Sequence, residues 1–269
     1  MNIERSLYEM GALDQMARQD SPMHRLDPRA KILATLGCII TAVSFPQHEL
    51  SALLPLALFP VSMAALGNIP ARTILRKLLI ASPFALFVGM FNPIFDRAPL
   101  LEISGIAVSG GWVSFASIML RFGLSVSSAL ALIAVTGFST VCMALNRMGL
   151  PRALSVQLLF LYRYIFVLTE EGLRMSRARS LRSFQGRGMG PKVYASLLGH
   201  LLLRTMDRAE RIHMAMLCRG FDGEIRLNQK LAFRLWDAAF LLGWLAFFGL
   251  VRWMNLSQWL GQLTSRMLQ

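Results

Sequence analysis

Apolar residues come in long runs along this chain, and short polar stretches separate them. The runs cover about 27–45, 50–66, 78–95, 112–138 and 231–251, and each approaches the roughly 20 residues needed to cross a bilayer as a helix. This pattern predicts an all-α, polytopic membrane protein with about five transmembrane helices. Asp27 followed by Pro28 reads as a helix N-cap with proline in the first helical position. Arg29 and Lys31 are expected to snorkel from there to the membrane surface. Pro55 and Pro60 are expected to kink the second run, and Arg72, Arg76 and Lys77 to lie in the loop before the third. The stretch around Gly105 and Gly110 suggests a small hairpin.

Between the fourth and fifth runs the pattern changes. Residues 139–150 are amphipathic and end at Gly149-Leu150-Pro151. Arg152 to about Ser183 reads as one long helix, apolar first and polar later. Gln157 and Arg163 interrupt its apolar half, which suits a helix at the interface or packed on other spans. Lys192 to Cys218 reads as a second long helix, with the breakers of 185–191 between the two. The tail after Arg252 is amphipathic. The predicted organisation is an N-terminal arm (1–26), four spans (27–140), a pair of long helices (141–230), and a last span with its tail (231–269).

Composition supports the membrane class. Apolar residues make up 55% of the chain and charged residues only 16%, too apolar a balance for an ordinary wetted surface. The formal net charge is +13, and more than half of the basic residues lie between Arg147 and Lys230. Such local excess marks the cytoplasmic side of a membrane protein and places the N terminus inside. No aromatic–basic interleaving supports nucleic acid as a partner. The first 20 residues carry no apolar core, which argues against a cleavable signal peptide.

Chemistry-bearing groups are sparse. The four histidines are scattered, and no cysteine pair has metal-ligand spacing. Gly186-Arg187-Gly188-Met189-Gly190 lacks the Gly-Lys-Ser/Thr ending of a nucleotide-binding loop. Asp237, near the start of the last run, is a weak candidate for a coupled-ion site. Arg121 lies within the fourth run, where an arginine is a functional candidate by default. A structural role, near the outer interface or paired within the bundle, weighs more.

What stands out is a repeat. Arg174, Ala178, Arg182 and Phe184 recur 37 positions later as Arg211, Ala215, Arg219 and Phe221, each copy ending a predicted helix just before glycines. Two readings arise from these residues. One is a basic surface against anionic lipid; the other is a pair of helix ends that dock in another protein. The fixed spacing favours docking.

At these residues the chain resembles the transmembrane (T) component of energy-coupling factor (ECF) transporters, of the cobalt type called CbiQ. The resemblance rests on His24-Arg25-Leu26-Asp27-Pro28-Arg29-Ala30-Lys31, on Leu150-Pro151, on Tyr162-Arg163-Tyr164 before Glu170-Glu171, and on two motifs that are Ala-Arg-Gly in the family. The second motif stands here as Cys218-Arg219-Gly220. The first stands as Leu181-Arg182-Ser183, with Ala178-Arg179-Ser180 as the rival register. The resemblance implies a non-catalytic subunit without cofactor, in the cytoplasmic membrane of a bacterium or archaeon. Its partners would be two ABC-type ATPase subunits that bind ATP, and a substrate-binding membrane S component like CbiM, with a small CbiN-like subunit. It implies that Arg182 and Arg219 dock one in each ATPase and pass their movement to the membrane. Nickel or vitamin systems, and a stand-alone secondary carrier, are the competing readings.

Overall fold

The computed structural model describes residues 14, 16–17, 19–46, 50–95, 99–103, 106–182, 190–223, 225 and 233–254. The expected interfacial helix around Ile3 to Met16, the 185–191 turn and the amphipathic tail lie wholly or mostly outside these residues. The chain divides into two compact units, one of residues 12–137 and 230–269, the other of 1–11 and 138–229.

The first unit is a helical bundle. Helix α1 (Pro28–Ser44) starts as expected: the Asp27 carboxylate accepts the Arg29 N–H at 2.9 Å, and Pro28 occupies the first turn. A 3₁₀ segment (Ser51–Ala57) with Pro55 inside it leads into α2 (Leu58–Leu66), so the predicted kinked helix is divided into two kinds of turn. Pro55 has no N–H to donate, which weakens any regular α-ladder there. Helix α3 (Ala71–Met90) already contains Arg72, Arg76 and Lys77, which the sequence pattern had assigned to a loop. Their long straight side chains suit a helix, and Pro70 before the first turn sets its start. A short α4 (Asn92–Phe95) and an antiparallel hairpin, β1 (Pro99–Ile103) with β2 (Ile106–Ser109), precede α5 (Gly110–Thr136). Helix α9 (Leu235–Met254) closes the bundle.

Helix α5 is central, packing on α1, α2, α3 and α4, while α1 also packs on α9. The buried faces are built from small residues. Ala30, Ala34, Cys38 and Ala42 recur every fourth position on α1, and Ser117, Ser128, Ala131 and Ala134 line α5. Lipid tails are as apolar as a helix face, so bilayer helices associate through close packing, and small residues permit it. Larger groups fill the middle: Leu53, Leu56, Phe59 and Met63 are fully buried, and Phe59 meets Trp244 and Phe248 edge-on at 5.0 and 5.6 Å. Gly67 is required where α2 ends, because a Cβ there would lie 2.7 Å from the Met63 carbonyl oxygen and 2.7 Å from Val135.

In the second unit, α6 (Phe138–Arg147) is followed by α7 (Arg152–Arg182) and α8 (Pro191–Leu217). These ends agree closely with the sequence pattern. Among the described residues four helices are long and apolar enough to cross a membrane: α3, α5, α7 and α9. Length and composition therefore admit α7 as a crossing helix, although its interrupted pattern suggested an interfacial one.

Candidate functional site

The basic repeat falls on the α7–α8 pair. Two apolar grooves lie between these helices. One, of about 690 Å³, runs from Ala153 and Phe160 on α7 to Ile212, Met216 and Phe221 at the end of α8. The other, of about 440 Å³, runs from Leu173 and Ser176 on α7 to Tyr194 and Leu198 at the start of α8. Tyr164 and Leu168 line both grooves, so the helices cross there. The start of α7 thus pairs with the end of α8, and the reverse. Arg182 and Arg219 end their helices at opposite ends of the pair, separated by a length of α7 on the order of 40 Å.

The crossing is held by few contacts. Arg204 Nη1 donates to the Glu171 carboxylate at 2.8 Å, joining the two helices. Gly172 faces Leu201, and Glu170 pairs with Arg174 one turn on at 2.6 Å within α7. Phe138 stacks on Tyr162 at 4.6 Å, which seats α6 against α7.

The end of α8 follows from its sequence. Gly220 takes a left-handed conformation with φ of +75°; its N–H donates to the Leu217 carbonyl, and the Phe221 N–H to the Met216 carbonyl. This hydrogen-bond pair is the Schellman closure, and glycine adopts it without a Cβ penalty. Arg219 stands immediately before that turn and is exposed, as is Ala215 one turn earlier. On α7, Ala178, Arg179 and Arg182 are exposed on the last turns, and Ser183 and Phe184 of the first copy lie outside the described residues. The side chains of Arg179, Arg182 and Arg219 make no hydrogen bond or ion pair among the described residues. Their guanidinium groups, with five donors each, are presented outward.

Arg121 is placed differently. Its Nη2 donates to the carbonyls of Phe45 and Pro46 at 2.9 and 2.7 Å, just beyond the C-terminus of α1. A cation suits the negative end of a helix, so Arg121 ties α5 to α1. The other member of this corner is Arg252, whose guanidinium sits 4.9 Å from the centre of the Phe45 ring.

The opening motif departs from expectation at one residue. Lys31 is 1% exposed, buried beside the carboxylates of Asp27 and Asp237 and not snorkelling outward. Sequence spacing gave no sign of this, because Asp237 lies more than 200 positions away. His24 is half-buried; its Nδ1 lies 2.7 Å from Ser21 Oγ and its Nε2 3.1 Å from the Met16 carbonyl. Its partial burial holds the imidazole below its ordinary pKa. Among the described residues no group of three or more His, Cys, Asp or Glu could hold a metal.

Apolar helices of bilayer length, a small-residue core and an exposed basic helix pair define a polytopic helical membrane protein. The model of the CbiQ family, described as cobalt transport protein, matches residues 19–231. The ECF transporter transmembrane protein EcfT of Thermanaerovibrio acidaminovorans is 26% identical over 82% of this chain and 86% of its own. The cobalt transport protein CbiQ of Salmonella typhimurium is 27% identical over 55% of this chain and 71% of its own. A putative fused cobalt transport protein, CbiMQ, of Methanocorpusculum labreanum is 22% identical over 84% of this chain and 39% of its own. This chain belongs to the CbiQ family and is a transmembrane component of an ECF transporter.

Proposed function

We propose that this protein is the coupling subunit of an ATP-driven cobalt importer, and that α7 and α8 carry movement from two cytoplasmic ATPases into the membrane. The observation that carries this reading is the placement of Arg182 and Arg219 at opposite ends of one crossed helix pair. Two outward-facing helix ends tens of ångströms apart suit two copies of one partner better than a single binding groove. A guanidinium fork docks well against carboxylates or backbone carbonyls at the floor of a groove. Arg179, Ala178 and Ala215 flank these anchors, and Gly220 shapes the second.

ATP is hydrolysed on the partner ATPases, and this chain contributes neither nucleotide site nor cofactor. Cobalt is the cargo named for the Salmonella and Methanocorpusculum relatives, while the EcfT name gives none. The fused relative joins the names CbiM and CbiQ, which supports a CbiM-like substrate-binding membrane partner. The excess of basic residues between Arg147 and Lys230 supports a cytoplasmic side for the ends of α7 and α8 and for the N terminus.

The test is Arg182→Glu with Arg219→Glu. The double variant is expected to insert in the membrane but to lose the ATPases on purification, and to lose uptake. Normal uptake would sink the docking role. Uptake of labelled nickel at the rate of cobalt by the wild-type complex would reassign the cargo without touching the mechanism.

A further inference from the structure

Three charged side chains of the bundle unit lie together in its interior and have no part in docking. Asp27, Lys31 and Asp237 are 4%, 1% and 2% exposed. Their arrangement is specific. Asp237 stands in the first turn of α9 and uses both carboxylate oxygens. Oδ2 accepts the Arg234 N–H at 2.7 Å, the back-reaching half of a capping box. Oδ1 accepts the Asp27 N–H at 2.8 Å, across 210 positions of sequence. The starts of the first and last helices of the bundle are thereby fixed to one carboxylate. Asp27 is committed to its own helix through Oδ1 and Arg29, while its buried Oδ2 has no hydrogen-bond partner among the described residues.

Two buried carboxylates side by side repel, and burying each costs solvation. Lys31, one turn along α1 from Asp27 and equally buried, is the cation placed to balance them. His24 is a further titratable neighbour and is half-buried; Arg29 and Arg234 adjoin the group through their backbone N–H groups. The position of this group in the chain gives it a mechanical meaning. Arg234 follows Arg219 by only 15 positions, so little chain separates the second docking end from the start of α9.

We propose that Asp27, Lys31 and Asp237 form a charge-balanced latch that registers the start of α9 on the start of α1. Asp237 is its positioning residue. Displacement of the α8 end then reaches the bundle at a fixed point and is not dissipated by slippage of α9. The mechanical consequence rests on the coupling role proposed above; the latch itself does not.

Three variants test it: Asp237→Asn, Lys31→Met, and both together. An amide offers one acceptor oxygen where Asp237 now accepts two N–H groups, so Asp237→Asn leaves one donor unmet. In the complex purified with its partners, Asp237→Asn should retain the ATPases and ATP hydrolysis but lower uptake about tenfold, the factor one such bond is worth. Lys31→Met leaves two uncompensated carboxylates and should lower the melting midpoint of the isolated chain in detergent by about 5 °C. Adding Asp237→Asn to Lys31→Met removes one of them, so the double variant should melt above Lys31→Met alone. If Lys31→Met does not accumulate at all, recovery of the double variant is the same positive result. Additive losses, or a double variant that also fails to accumulate, would overturn the latch. Wild-type uptake in Asp237→Asn would overturn its positioning role. If no ATPase co-purifies with the wild-type chain, the coupling reading fails, while the melting comparison still decides the latch.

Discussion

Helices α1 and α8 both carry apolar faces, yet eight of the 17 residues of α1 are buried and none of the 27 of α8 is. In α1 five of these are Ala30, Ala34, Thr35, Cys38 and Ala42, small enough to let α5 and α9 approach closely. In α8 the corresponding positions are Leu198, Leu202, Leu203 and Met206, each more than 60% exposed. Large flexible side chains standing open are poor filling for a helix's own bundle and good contact surface for a partner. The bundle unit has a buried core of its own, whereas α7 and α8 meet at one crossing beside the Glu171–Arg204 bridge and leave two grooves unfilled. The coupling role proposed above would use both: a bundle that stays registered, and a pair of helices loosely enough joined to shift.

The contrast can be broken most directly in the bundle. Phe59→Ala removes a fully buried ring and its edge contacts with Trp244 and Phe248. It should destabilise the detergent-solubilised chain by roughly 2–3 kcal/mol. That is somewhat below the ~3–5 kcal/mol of a water-soluble core, because part of the transfer gain is absent in an apolar solvent. A melting midpoint equal to wild type would mean that this core is not packed as described. Arg121→Gln comes next. It keeps a donor but loses the charge and one of two carbonyl contacts at the end of α1, for a cost of about 1–2 kcal/mol. Loss of uptake in Arg121→Gln with unchanged melting would instead return Arg121 to a functional role. The smallest effect on the isolated chain is expected on α8. Leu198→Ser with Leu202→Ser should change its melting by less than about 0.5 kcal/mol, since both side chains are already open. Recovery of the assembled complex should nevertheless fall. A melting loss as large as that of Phe59→Ala would show that the chain itself buries this face, and the contrast would vanish.

Much of the architecture was readable from local signals. Asp27-Pro28 marks the start of α1, Gly149 and Gly220 mark the ends of α6 and α8, and α7 and α8 were located to within a residue or two. These are features of near neighbours in the chain: a cap reaches two residues ahead, a left-handed glycine closes the turn just before it, and amphipathic spacing repeats every turn. The 3₁₀ segment at Ser51–Ala57 and the early start of α3 at Ala71 were misread. A composition rule assigns basic residues to loops, whereas backbone hydrogen bonding carried Arg72, Arg76 and Lys77 into a helix.

By itself the sequence determined the all-α membrane class, the long basic helix pair and the repeated arginines, because hydropathy and helix periodicity are properties of contiguous residues. Tertiary structure alone decided where those arginines stand, at opposite ends of a crossed pair. It also decided that Arg121 caps α1 and that Asp27, Lys31 and Asp237 are all buried, with Asp237 bonded to the Asp27 N–H. Each depends on groups brought together from distant parts of the chain, where packing and charge compensation, and not spacing, choose the partner.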